Sequence, residues 1–153
     1  MIHTREELLK DLREHTYVML RPSSAEGVGV FAIQRIPKGC REIFPNNKIQ
    51  WIKFTAAEVE SLPPHSCFMI QRYFVFYEGF YYVPDCGLKF MSNVFFVNHS
   101  ETPNIVSIND GECWEALRDI EVGEELFIDY ESLDDRPRTE QAFASEYHPR
   151  ADS

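Results

Sequence analysis

The chain has 153 residues, 25 acidic against 15 basic side chains, a formal net charge of −10, 44% hydrophobic and 14% aromatic residues. These values describe one globular domain with a sizeable core and exclude a disordered chain. The acidic balance argues against direct nucleic-acid binding and suits a Lys- or Arg-rich partner, while no apolar run approaches the roughly 18 residues of a membrane span.

The start, MIHTREELLKDLREH, is too charged for a signal peptide, so the chain is expected to be soluble and intracellular, in cytoplasm or nucleus. Thr4 and Glu7 form a capping box, and Leu8, Leu9 and Leu12 share a face, which predicts a helix over 4–14. TYVMLRPS reads as a strand ending at Pro22, and SSAEGVGVFAI puts two glycines ahead of another. RIPKGCREIF predicts a Pro-Lys-Gly turn between strands. A second capping box at Thr55 and Glu58 opens a short helix that Pro63-Pro64 should end.

Two aromatic runs around Glu78-Gly79 predict a hairpin, and Asn109-Asp110-Gly111 predicts another. Between them lies FFVNHSETPN, read as a strand through Phe95, Phe96 and Val97 followed by a polar cluster. EVGEELFIDYES supplies a turn and a last strand, and a short helix is expected over 139–147. Many short strands with few helices predict a mostly β, α+β domain and not a doubly wound sheet.

Cys40, Cys67, Cys86 and Cys113 are spread singly, without the close ligand pairs of a zinc site. His65 and Cys67 are the nearest to such a pair, so no metal is expected and the thiols read as buried and reduced. GVG at 27–29 lacks the third glycine and helix of a dinucleotide fingerprint. NHS at 98–100 lacks the elbow and acid of a Ser-His hydrolase. Taken alone, Asn98 could cap a turn, His99 could be a satisfied core histidine, and Tyr130 could be a packed aromatic.

In order and spacing, SAEGVGVFAIQRIPKG, FFVNHSETPN and ALRDIEVGEELFIDY resemble the blocks of SET-domain protein lysine methyltransferases, over about residues 17–131. The resemblance implies a β-clip fold of several small sheets with a threaded C-terminal segment. It implies an N-terminal extension over 1–16, a SET domain over 17–131, and a segment over 132–153 completing the active-site wall. The implied cofactor is S-adenosylmethionine, held by the backbone of Gly27, Val28, Gly29 and Val30, by Asn98, and by the backbone of His99. Tyr130 is implied as the catalytic tyrosine, and Tyr73 as an aromatic touching the cofactor. Pro103 and Asn104 are implied as shapers of the threaded loop. The implied partner is a protein with a target lysine, in a basic, histone-like segment.

Three departures from the family pattern stand out. Glu101 occupies the position where the family usually has Cys, and no cysteine cluster follows Leu133. The missing wall is assigned to Phe143, on the cofactor side, or Tyr147, on the substrate channel, or to a second subunit, which leaves a homodimer open. Ile128 stands where relatives often have Phe or Tyr, so room for di- or trimethylation is expected. The contrasting expectation is a catalytically silent SET-like module that binds a basic peptide or protein.

Overall fold

The computed structural model describes residues 4–45, 49–89, 91–109 and 111–136. The expected 139–147 helix, with Phe143 and Tyr147, lies outside the described residues. In chain order the elements begin with α1 (Arg5–Glu14), β1 (Val18–Pro22), β2 (Val28–Ala32), β3 (Trp51–Thr55), α2 (Ala56–Glu60) and α3 (Pro64–Tyr73). They continue with β4 (Phe76–Tyr77), β5 (Phe80–Pro84), β6 (Asn98–His99), β7 (Ile105–Ile108), β8 (Cys113–Ala116) and β9 (Phe127–Ile128). Short 3-10 turns cover Asn93–Phe96 and Tyr130–Ser132. The sheets are small, as expected, and mostly antiparallel. The chain forms two compact units, Met1–Asn47 with Ser92–Asp129 and Lys48–Met91 with Tyr130–Ser153.

In the first unit, the Thr4 capping box forms in both directions: Glu7 N donates to Thr4 Oγ1 at 3.2 Å and Thr4 N to Glu7 Oε2 at 2.9 Å. The helix that follows buries none of its residues; Leu8, Leu9 and Leu12 remain exposed. β1 and β2 pair antiparallel from Val18↔Ala32 to Pro22↔Val28. Their turn closes through Ser23 N to Gly27 O at 2.7 Å, with Gly27 at φ +49, a conformation glycine adopts without steric cost. Val30, Ala32, Ile36, Ile120 and Leu126 are fully buried and make the centre of this core. β7 and β8 form the expected hairpin, with Asn109 at φ +51 and Gly111 at φ +86.

Two expectations fail here. The Pro37-Lys38-Gly39 turn is present, but Ile36 makes only an isolated bridge to Ile120 and the described residues 40–45 form no strand. Phe95 and Phe96 lie in a 3-10 turn whose N-cap Ser92 accepts from Val94 N at 3.5 Å, so the apolar run is not a strand. Extended pairing begins only at the polar residues Asn98–His99.

In the second unit, β3, β5 and β4 form an antiparallel sheet in that order, and the β4–β5 turn sits at Glu78 (φ +49) and Gly79 (φ +83). This matches the two left-handed residues of a tight hairpin. Thr55 caps α2 as expected. α2 is short and ends before Pro63-Pro64, as expected, but α3, which begins at Pro64, was not anticipated. A proline at the first helical position loses no intrahelical bond, because that N–H has no partner there. β3 was not anticipated. The four thiols are free, but Cys86 is exposed and the other three are half-buried, not buried as expected. Among the described residues no helix is long and apolar enough to cross a membrane.

Candidate functional site

The sequence-predicted residues divide between the units. Gly27, Val28, Gly29, Val30, Asn98, His99 and Ile128 lie in the first; Tyr73 and Tyr130 lie in the second.

Asn98 is 2% exposed. Its Nδ2 donates to Glu26 O at 3.0 Å and to Val28 O at 3.3 Å, so the amide bridges the two carbonyls flanking Gly27. Its Oδ1 takes no hydrogen bond from a described residue. An asparagine has two donors and one carbonyl acceptor, so here the donors are spent and the acceptor is left over. The glycines differ in what surrounds them. Nothing lies within 4 Å of where a Cβ would stand on Gly27. At Gly29 that Cβ would overlap Glu125 Oε1 and lie 2.9 Å from Glu125 Cδ and 3.1 Å from Ser23 Cβ. Gly27 is therefore needed for its backbone conformation and Gly29 for the close approach of a carboxylate. Both Glu125 oxygens are buried and have no hydrogen-bond partner among the described residues. Sequence reading missed Glu125, because nothing in GEEL reveals that its side chain packs beneath a glycine.

β6 and β9 pair parallel, Asn98↔Phe127 and His99↔Ile128. Ser100 N donates to Ile128 O at 2.9 Å, and Asn104 N to Phe127 O at 3.2 Å, so both limbs of the 98–104 loop hold the β9 segment. Asn104, 3% exposed, reinforces this with its side chain. Its Oδ1 accepts from Phe127 N at 2.8 Å and its Nδ2 donates to Glu125 O at 2.9 Å. The His99 side chain is 8% exposed, with Nδ1 3.8 Å from Asp129 Oδ1, too long for a hydrogen bond. Ile128 is buried.

In the second unit, Tyr130 opens the turn that follows β9, and its carbonyl accepts from Leu133 N at 3.1 Å and Asp134 N at 3.0 Å. Tyr73 is the last residue of α3, where Arg72 Cζ stands 5.3 Å from its ring centroid. Of the first aromatic run of the expected hairpin, helix takes the chain through Tyr73 and only Phe76–Tyr77 is extended. Asp134 and Arg136, which sequence reading also missed, pair with side chains 7% and 10% exposed. Two residues apart in a polar tail, they carry no periodic signal, and their other partners are distant in sequence. Burial pushes the Tyr81 hydroxyl above its ordinary value, although the neighbouring Arg136 acts to lower it.

A family model described as SET domain matches residues 27–131. A chain of the Chaetomium thermophilum Polycomb Repressive Complex 2 bound to GSK126 is 20% identical over 86% of this chain and 18% of that one, with a TM-score of 0.55. A humanized mutant of that complex bound to the inhibitor GSK343 is 21% identical over 86% of this chain and 17% of that one, TM-score 0.54. A histone methyltransferase candidate from Plasmodium falciparum is 20% identical over 75% of this chain and 93% of that one, TM-score 0.46. The chain thus spans less than a fifth of the Polycomb chains. No curated protein matches it.

Proposed function

Because the chain belongs to the SET-domain family, whose members are protein lysine methyltransferases, we propose that it methylates the ε-amine of a lysine in a basic, histone-like protein segment, using S-adenosylmethionine. The observation that carries this reading is the Asn98 bridge. Asn98 spends its amide nitrogen on the Glu26 and Val28 carbonyls and leaves Oδ1 without a hydrogen bond from a described residue. An ammonium group is the donor that complements such an acceptor, and the cofactor carries one. The donor and acceptor types present therefore fit the group. Residues 17–131 would form the catalytic domain, with 1–16 and 132–153 flanking it.

Bound S-adenosylmethionine supplies an electrophilic methyl group on a positively charged sulfur. The backbone of Gly27, Val28, Gly29 and Val30, the Asn98 side chain and the His99 backbone would hold it. Ile128 would line the lysine channel. A lysine with a pKa of about 10.4 costs about 4–5 kcal/mol to deprotonate at neutral pH. An apolar channel lowers that cost by disfavouring the charged amine, so the chain needs no strong base. The Tyr130 hydroxyl would orient the amine; such alignment accounts for roughly 7–11 kcal/mol of barrier lowering in well-oriented systems. His99 acts through its backbone and by position, not as an acid or base.

The test pairs calorimetry with S-adenosylmethionine and a methyl-transfer assay on a core histone mixture, wild type beside Tyr130→Phe. Binding at micromolar to tens-of-micromolar levels is expected, and the variant should lose at least about tenfold in rate. A wild type that binds no cofactor favours instead a silent module recruiting a basic partner. Equal rates in both proteins remove Tyr130 from its role. Mass spectra of the product should contain di- or trimethyl-lysine, because Ile128 leaves more room than an aromatic side chain.

A further inference from the structure

We infer that Asp134 and Arg136 are positioning residues for Tyr130, forming a buried fork that fixes the turn on which the tyrosine stands; this rests on the methyltransferase reading above. The contacts form a continuous series within one unit. Arg136 Nη1 donates to Gln71 O at 2.7 Å and Nη2 to Phe74 O at 3.1 Å, filling carbonyls at the C-terminal end of α3 that the helix leaves unpaired. The same guanidinium grips Asp134 in two places, Nε to Oδ1 at 2.9 Å and Nη2 to Oδ2 at 2.7 Å. Asp134 Oδ2 also accepts from Phe76 N at 2.9 Å, and Oδ1 from Arg136 N at 2.8 Å. Asp134 N then donates to the Tyr130 carbonyl at 3.0 Å.

The neighbouring residue extends the attachment to the hairpin. Asp135 N donates to Phe76 O at 2.8 Å, and Asp135 Oδ2 accepts from Glu78 N at 2.7 Å. The Arg136 guanidinium also lies 5.4 Å from the Tyr81 ring centroid, within cation–π range. Tyr73 stands between Gln71 and Phe74, the two residues whose carbonyls the fork holds, so one ion pair fixes the backbone beside both predicted site tyrosines. A planar, bidentate geometry of this kind is specific to arginine; lysine keeps the charge but cannot bind two carboxylate oxygens and two carbonyls at once.

A purely structural fork would change stability without singling out one hydroxyl. A positioning fork makes its catalytic effect depend on Tyr130. The experiment is a double-mutant cycle in the full chain, Arg136→Lys in wild type and in Tyr130→Phe, with Asp134→Asn as the second route. Apparent kcat and KM are measured on core histone mixture, S-adenosylmethionine affinity by calorimetry, and folding by thermal melting. In the wild-type background kcat should fall at least about tenfold, with KM and cofactor affinity within about threefold. In the Tyr130→Phe background the same change should cost less than about twofold, because the hydroxyl to be positioned is gone. Equal fold-losses in both backgrounds, or an unchanged kcat in a folded variant, overturn the inference. If Arg136→Lys does not melt cooperatively, the Asp134→Asn cycle decides by the same criteria. A wild type without methyl transfer sinks the functional reading itself, a different outcome from an active wild type indifferent to the fork.

Discussion

Asn104 in the first unit and Arg136 in the second both tie a late segment of the chain to earlier backbone, but with different chemistry. Asn104 uses a neutral amide that substitutes for two rungs of a β ladder, at Phe127 N and Glu125 O. Arg136 uses a charge, and that charge is tolerable inside the fold only because Asp134 accompanies it. A neutral bond of the first kind contributes about 1 kcal/mol net. Charge-assisted bonds are stronger, but the desolvation of both ions offsets much of the gain. The first arrangement should degrade gradually when altered, whereas the second should fail once either partner is removed.

The sharpest way to break that contrast is Asp134→Ala, which leaves a guanidinium buried without its counter-ion. It should cost about 3–5 kcal/mol by urea denaturation. A loss below that of Asn104→Ala would reverse the ranking of the two anchors. Asn104→Ala should itself cost about 2–3 kcal/mol, from two abandoned backbone groups and a small void.

Gly29→Ala comes next. Its Cβ would overlap Glu125 Oε1, so the carboxylate must move. About 1–3 kcal/mol of stability should be lost, with weaker cofactor binding in calorimetry, and Glu125→Ala in the same chain should restore most of the stability. No restoration would mean that Ser23, not Glu125, is the obstruction.

The smallest effect concerns surface carboxylates. The Lys38 N–H, then Arg35, hold Asp119 below the ordinary carboxylate value. Arg118 and the Glu121 N–H do the same for Glu124, and the Thr55 N–H for Glu58. Folded values below unfolded ones mean that the ionised forms favour the fold above the unfolded pKa and that this contribution disappears as pH falls through the folded values. The urea midpoint should therefore drop modestly between about pH 5 and about pH 3, and Glu124→Gln should reduce the drop.

Much of this molecule is legible in the sequence where the signal is short-range. Thr4 with Glu7, Thr55 with Glu58, Glu78-Gly79 and Asn109–Gly111 each encode a cap or turn within a few residues, and each forms. Three misreadings share a cause: the local pattern admits two outcomes. A proline pair that closes one helix can also begin the next; an apolar run such as Val94–Val97 can extend or coil into a 3-10 turn. WIKFT becomes a strand through its pairing with β5, a partner 25 to 33 residues later that its own residues do not announce. The same holds for the site. Gly27, Asn98 and Tyr130 are recognisable through the order of the three blocks, whereas Glu125 and the Asp134–Arg136 fork depend on neighbours that only the folded chain supplies.

The parallel pairing of Asn98–His99 with Phe127–Ile128 carries a consequence for folding order. Two short segments, separated by the whole β7–β8 hairpin, gain little when they meet and must first close the loop between them. The hairpin, built from local contacts, should form early, and the parallel rungs late. Asn98 acquires its strand partner only in that late step. A newly made chain would thus acquire its candidate cofactor cradle near the end of folding, and ligand capture would report completion of the fold.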